Sequence, residues 1–257
     1  MQPVIQSFWL QKAGNSVKEY EDASGYDDQT HVAAVADGAS DSFESRLWAS
    51  ALVRAFVRRP PLPDQYSILE WLANPIRTWK EAIHWDNLAW YAEEKAARGA
   101  FSTLLGVSLI PSSNDPNNQD PACYRWRAIA IGDACLFQLR GDKLVMSFPV
   151  ENAADFGTTP VLISTQLQYS QRSLKGIRLR EGECGRGDSL LLTTDALAAW
   201  LLSKEEKGEP AWHRIRSLTR EGFAEVVSVA REQGEMRNDD VTLLLLRHSD
   251  CLAPKLD

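Results

Sequence analysis

Short apolar runs bounded by aspartate constrain this chain more than any other feature. In HVAAVADGAS, residues 31–40, a β-friendly run from Val32 to Ala36 stops at Asp37-Gly38. In GDSLLLTTDAL, Leu190–Leu192 read as a buried strand that meets a helix at Asp195. In RNDDVTLLLL, Asp239 and Asp240 stand directly before a third strand, and Asp133 follows the apolar end of RAIAIG. Glu21-Asp22 precede the strand that leads to Asp37. A carboxylate at the end of a buried strand is costly unless a cation or hydrogen bonds compensate it. Taken singly, each reads more readily as a turn or cap, the role that suits Asp188, Asp142 and the Asp27-Asp28 pair. If the strand ends converge, the set becomes an oxygen-only acidic cluster. Without His or Cys, such a cluster selects hard cations such as Mg²⁺ or Mn²⁺ rather than zinc. Two such ions ~3.5–4 Å apart can lower the pKa of a bridging water and clamp an in-line displacement at phosphorus.

The rest of the chain supplies elements to carry these groups. Residues 3–11 suit a first strand, and the polar, turn-rich stretch after them holds Glu21-Asp22. Phe43, Leu47, Trp48, Ala51, Leu52, Ala55 and Phe56 fall at helical spacing, and Pro60, Pro61 and Pro63 end that helix. A second helical stretch over 65–98, interrupted near Pro75, carries Trp71, Trp79, Trp85 and Trp90. Acidic residues interleave with these indoles and a basic stripe is missing, so core packing suits them better than base stacking. Residues 101–110 form a strand, 111–122 a surface loop, and 124–148 two or three strands with a hairpin turn at Gly141-Asp142. Residues 149–178 have weak periodicity, and a loop of that length beside a compact core is often functional. Helical segments follow around 210–218 and 220–233. No composition break divides the chain, so a single domain over 1–257 is expected, of the α+β class.

The formal net charge of −7 argues against a nucleic-acid partner or an acidic membrane surface. Cys123, Cys135, Cys184 and Cys251 form no CxxC pair, which suits a reduced cytoplasmic setting. No window approaches a membrane span and no signal peptide is evident. His31, His84, His213 and His248 belong to no motif and read as structural.

The ordered acidic motifs resemble those of the metal-dependent serine/threonine protein phosphatases of type 2C (PPM-type). VKEYEDA (17–23) is similar to that family's glutamate–aspartate motif, AAVADG (33–38) to its valine–aspartate–glycine motif, and GAFSTLLGVSL (99–109) to its glycine–serine–threonine strand. AIAIGDACLFQLRGDKL (128–144) resembles the glycine–aspartate–serine hairpin, GDSLLLTTDAL (187–197) the serine–aspartate–glycine motif, and NDDVTLLLL (238–246) the closing aspartate–asparagine–x–threonine strand. The motifs keep family order over essentially the whole chain. The resemblance implies two antiparallel sheets stacked as a sandwich with helices outside, an αββα arrangement, with metals at one end. It implies that Asp37 bridges two Mg²⁺ or Mn²⁺ ions, with the Gly38 carbonyl completing one site. Asp195 and Asp239 would hold the first ion, and Glu21, with Asp22 nearby, would serve the second directly or through water. Asp133 matches a residue that binds a weaker third ion in some members. Asp37, Asp195 and Asp239 would carry catalysis, and residues 149–178 match a variable flap beside the cleft.

The implied activity is hydrolysis of phosphoserine or phosphothreonine in a protein, a target of a serine/threonine kinase, by a metal-bridging water. Departures from the pattern motivate an alternative. Ala39 replaces the histidine of the eukaryotic branch, so the DGAS form is closer to a bacterial branch reading DGAG. Val17 stands where a phosphate-gripping arginine is expected, with Lys18 adjacent. Ala196 replaces a glycine, and Ala199 an aspartate that would complete a third site. The alternative is a catalytically weak relative that binds a phosphoprotein partner and regulates it.

Overall fold

The computed structural model describes residues 4–85, 90–111, 124–157, 159–185 and 187–247. Two five-stranded antiparallel sheets stack face to face. The first has strand order β1 (Val4–Leu10), β12 (Val241–Arg247), β11 (Asp188–Thr193), β7 (Cys135–Arg140), β8 (Lys143–Phe148). The second runs β10 (Arg178–Cys184), β6 (Tyr124–Ile131), β5 (Leu104–Pro111), β3 (Val32–Ala36), β2 (Ala23–Asp27). A two-stranded pair, β4 (Phe101–Ser102) with β9 (Ile163–Ser164), lies beside them.

Helices cover both outer faces, and three apolar layers fill the four-layer stack. Val35, Leu105, Trp126, Leu136, Leu192 and Leu244 belong to the layer between the sheets. The next residues along the same strands point outward. Ala34 and Ala36 pack under α1 (Ser45–Arg58) and α2 (Gln65–Glu81). Leu191, Leu243 and Leu245 pack under α5 (Asp195–Glu206), α6 (Trp212–Arg216) and α7 (Arg220–Glu232). Because β3, β11 and β12 are buried on both faces, they read in sequence as unbroken apolar runs rather than as alternation. Truncating one of these leucines to Ala costs about 2–5 kcal/mol through lost burial and a residual cavity.

The expected αββα sandwich is therefore observed. Pro75 does not interrupt its helix: α2 continues through it to Glu81, with the proline ring buried in the core. The proline forfeits one backbone hydrogen bond, and packing of the ring offsets that loss. Trp79 is buried, whereas Trp85 is exposed at the surface yet rests edge-on against Trp79. α3 (Trp90–Arg98) closes the stretch; the Trp90 side chain, residues 86–89 and the expected loop from 112 onward lie outside the described residues. Residues 149–178 are more regular than their composition suggests, containing β9, α4 (Leu167–Ser173) and two short 3₁₀ turns. Among the described residues no helix is long and apolar enough to cross a membrane.

Register brings the strand termini together. Thr193 pairs with both Cys135 and Leu243 in the first sheet. Ala36 pairs with Ala23, and Leu104 with Ile131, in the second. These pairings set residues 22, 37, 133, 195 and 239 at the same end of the sandwich.

Candidate metal centre

Asp37 projects from the end of β3, and its backbone is clamped on both sides. Its N–H donates to Thr103 Oγ1 at 3.0 Å, and its carbonyl accepts from Thr103 N–H at 2.9 Å and Ser102 Oγ at 2.8 Å. Gly38 then runs between two carbonyls. A Cβ there would lie 2.8 Å from both Glu21 O and Ser45 O, so no larger residue fits. Burial pushes the Asp37 carboxyl well above the usual range, and the nearby charges of Asp22, Asp195, Asp239 and Asp133 push it further. Five carboxylates therefore converge, although Asp37 keeps some contact with solvent on its cavity side.

Each neighbour is held differently. Asp22 is buried, and its Oδ2 accepts from Thr194 Oγ1 at 2.9 Å and Thr242 Oγ1 at 2.7 Å. Thr194 and Thr242 belong to the first sheet's termini, so Asp22 ties the segment before β2 across to the other sheet. The Tyr20 hydroxyl hydrogen-bonds to Thr242 behind it. Asp133 sits in the turn between β6 and β7, and burial followed by the Asp195 charge pushes its pKa up to about 6. Asp195 opens α5. Burial raises its carboxyl, only partly countered by Arg237, whose guanidinium contacts its Oδ2. The same Nη2 lies 3.0 Å from Asp239 Oδ2.

The donor set passes a test of fit for hard divalent cations. Among the described residues Asp22 Oδ1, Asp133 Oδ1 and Asp195 Oδ1 are buried without a hydrogen-bond partner. Uncompensated carboxylate oxygens of this kind are destabilising, and a cation is the partner such an oxygen-only set selects. As they stand, no three His, Cys, Asp or Glu side chains among the described residues close around one point. The Arg237 guanidinium lies between Asp195 and Asp239.

Of the residues expected at the site, Asp22, Asp37, Asp133, Asp195 and Asp239 are brought together, with Gly38 beside them. The Glu21 carboxylate turns instead to the Ser40 and Ser45 hydroxyls. Asp240 is satisfied by the backbone N–H groups of Lys12 at 2.7 Å and Glu21 at 2.6 Å, a structural role. Val17 is exposed on a short 3₁₀ turn, and the adjacent Lys18 carbonyl accepts from Arg46. Sequence reasoning missed Thr194, Thr242 and Arg237. The first two sit in the acidic motifs themselves, and the third is the one basic residue in the EMRNDD run.

Two cavities adjoin the cluster. One of about 570 Å³ is lined by Asp37, Asp195, Arg237, Lys95 and Arg98, with Gly157, Thr159, Pro160 and Leu162 contributing from the segment after β8. The other, of about 720 Å³, lies toward α1 and shares Ser40, Ser42, Lys95 and Asp239 with it. Lys95, Arg98 and Arg237 beside the Asp37 and Asp195 carboxylates suit an anionic ligand that also meets a cation.

This four-layer sandwich is the fold of the serine/threonine phosphatases of type 2C, as comparison with solved structures shows. The photosystem II phosphatase PBCP aligns over 95% of this chain and 98% of its own, with a TM-score of 0.59 and 14% identity. The phosphatase Stp1 from Staphylococcus aureus aligns over 96% and 95%, with a TM-score of 0.58 and 15% identity. The catalytic domain of the protein phosphatase PstP, in complex with two manganese ions, aligns over 96% and 98%, with a TM-score of 0.55 and 18% identity. No protein-family profile and no curated protein sequence matches the chain.

Proposed function

We propose that the protein is a metal-dependent phosphoric monoester hydrolase that releases phosphate from phosphoserine or phosphothreonine in a protein substrate. The carrying observation is the convergence of carboxylates from both sheets with three buried oxygens left unpartnered. Asp37, Asp195 and Asp239 would hold one Mg²⁺ or Mn²⁺ ion. Asp37 and the Gly38 carbonyl would hold a second, with Asp22 and Glu21 acting directly or through water, and Asp133 would serve a weaker third. Bound ions would supply an acidic water for attack on phosphorus and positive charge against the developing negative charge.

The chain's own residues bind and orient. Thr194 and Thr242 fix Asp22, and the clamp at Thr103 fixes Asp37. Lys95 and Arg98 draw a phosphoryl group into the cavity, and Gly157, Thr159, Pro160 and Leu162 border the path of the attached peptide. In the hydrolysis a water oxygen bonds to phosphorus, the bond to the serine oxygen breaks, and a proton passes to that oxygen. Ala39 offers no proton for this transfer, so it comes from solvent within the site. The proposed setting is cytoplasmic, opposite a serine/threonine kinase.

Phosphate release from phosphopeptides and p-nitrophenyl phosphate with added Mn²⁺ tests this. The expected result is turnover that Asp37→Ala removes; no turnover above that variant across peptides and metals overturns it. Arg237 between Asp195 and Asp239, together with Ala39, supports the second reading, a weakly active regulator that binds metal or a phosphoprotein without turnover.

A further inference from the structure

Arg237 occupies an unusual position for a surface arginine. It lies in the turn between α7 and β12, and the turn is anchored: the N–H groups of Glu235 and Met236 both donate to Ala230 O, and the Met236 side chain is buried. Asp239 N–H donates back to Arg237 O at 3.1 Å. The backbone thus fixes where the side chain starts, while the side chain itself is half exposed. Its Nη2 meets one oxygen of Asp195 and one of Asp239. Those carboxylates stand just past the end of β11 and just before the start of β12, and would repel each other without a cation between them.

We propose that Arg237 is a tethered cation held in the Asp195–Asp239 pair, and that a divalent ion and this guanidinium exclude each other there. The inference rests on the reading of these carboxylates as metal ligands. A guanidinium always carries its charge, so it does not leave the pair by losing its proton. A divalent ion draws carboxylate oxygens in to about 2.0–2.6 Å, and the oxygens facing Arg237 cannot serve both cations at once. Asp195 Oδ1, which the guanidinium does not reach, stays buried and unpartnered. The tethered cation thus compensates the pair only partly. Metal entry at Asp195–Asp239 must move Arg237 out into the cavity it already lines with Lys95 and Arg98. Entry at the ligands on the Asp37–Asp22 side carries no such requirement.

Calorimetric titration of the chelator-treated full chain with Mn²⁺ tests this, comparing wild type, Arg237→Ala and Arg237→Lys. For Arg237→Ala the ion at Asp195–Asp239 should bind roughly two- to five-fold tighter, the scale of a partly exposed charge pair. Arg237→Lys, which keeps a charge on a differently shaped side chain, should fall between. In the same samples without metal, Arg237→Ala should melt below wild type, and saturating Mn²⁺ should close that gap, since ion and guanidinium do the same work. An arginine with a merely structural role would leave the gap open and the affinities equal, which overturns the proposal. If Arg237→Ala does not fold, the wild-type and Arg237→Lys affinities decide alone. Mn²⁺ binding that is equal in all folded variants defeats this inference and spares the metal centre. No Mn²⁺ binding by any of them defeats both.

Discussion

Strand β11 carries an aspartate at its start and another just past its end, and the two are treated in opposite ways. At its start, the Asp188 side chain is shielded from water and fully matched. Arg140 grips both its oxygens at 2.9 and 3.1 Å, Gln138 Nε2 donates at 2.9 Å and the Gly185 N–H at 3.1 Å. Burial alone would raise this carboxyl, but those partners hold it below the usual range. Past the other end, Asp195 is raised by burial, keeps a bare oxygen, and faces four more carboxylates. The same residue type, at the two ends of one strand, is structural where every lone pair is used and remains open to a ligand where lone pairs are left over. Sequence spacing alone does not separate the two; partner supply does.

The largest expected effect separates chemistry from stability at the acidic end. Asp37→Asn should lower phosphate release by about 10²-fold or more, since it removes the group proposed to bridge both ions. Its melting temperature without metal should not fall, because one like charge has left a crowded cluster. Mn²⁺ at a hundred-fold excess over its Kd should stabilise wild type by about 2.7 kcal/mol and the variant far less. A drop in melting temperature for Asp37→Asn in chelator would break the comparison. Smaller, and of opposite character, is Asp188→Ala. It should cost about 2–3 kcal/mol in urea unfolding by orphaning the donors of Gln138 and Gly185, while kcat/KM stays within about two-fold.

The subtlest effect concerns pH, in chelator-treated protein. The folded value of Asp133, about 6, lies above its unfolded value of about 3.9. The folded state therefore holds the proton more tightly, and stability should decline by about 1–2 kcal/mol as pH rises from about 4 to 6. Asp188 has a folded value below its unfolded one, so its contribution is present above about pH 4 and is lost as pH falls through the folded value. Asp133→Asn should flatten the first slope and leave the second intact. Equal slopes in wild type and Asp133→Asn would show that burial does not bias that carboxyl.

Much of the fold was legible because β3, β11 and β12 are sandwiched between apolar layers, and two-sided burial leaves runs such as VAAVA and LLLL. β2 and β10 were missed for the converse reason. They are edge strands with ASGYD and RLREGEC, part or wholly exposed except at Cys184, and nothing in them advertises a sheet. At the site, the aspartates were legible because a strand terminus is an odd place for an unpaired charge. The turn of Glu21 toward Ser40 and Ser45 was not, since it depends on the loop geometry after Gly38. Arg237 was hidden because two residues' separation says nothing about whether a guanidinium folds back.

The turn between β6 and β7 has a consequence for distant residues. Gly132, at φ +101°, lets the chain leave one sheet and enter the other with Asp133 at the crossing, and a Cβ there would collide with Thr103. Asp37 thus hangs from one sheet, Asp195 and Asp239 from the other, and Asp133 from the seam. Their mutual spacing works as an alignment gauge for the whole sandwich. A substitution deep between the sheets, such as Leu192→Val, would touch no carboxylate. By letting one sheet slide a fraction of an ångström over the other, it would still detune the proposed ion binding at the rim.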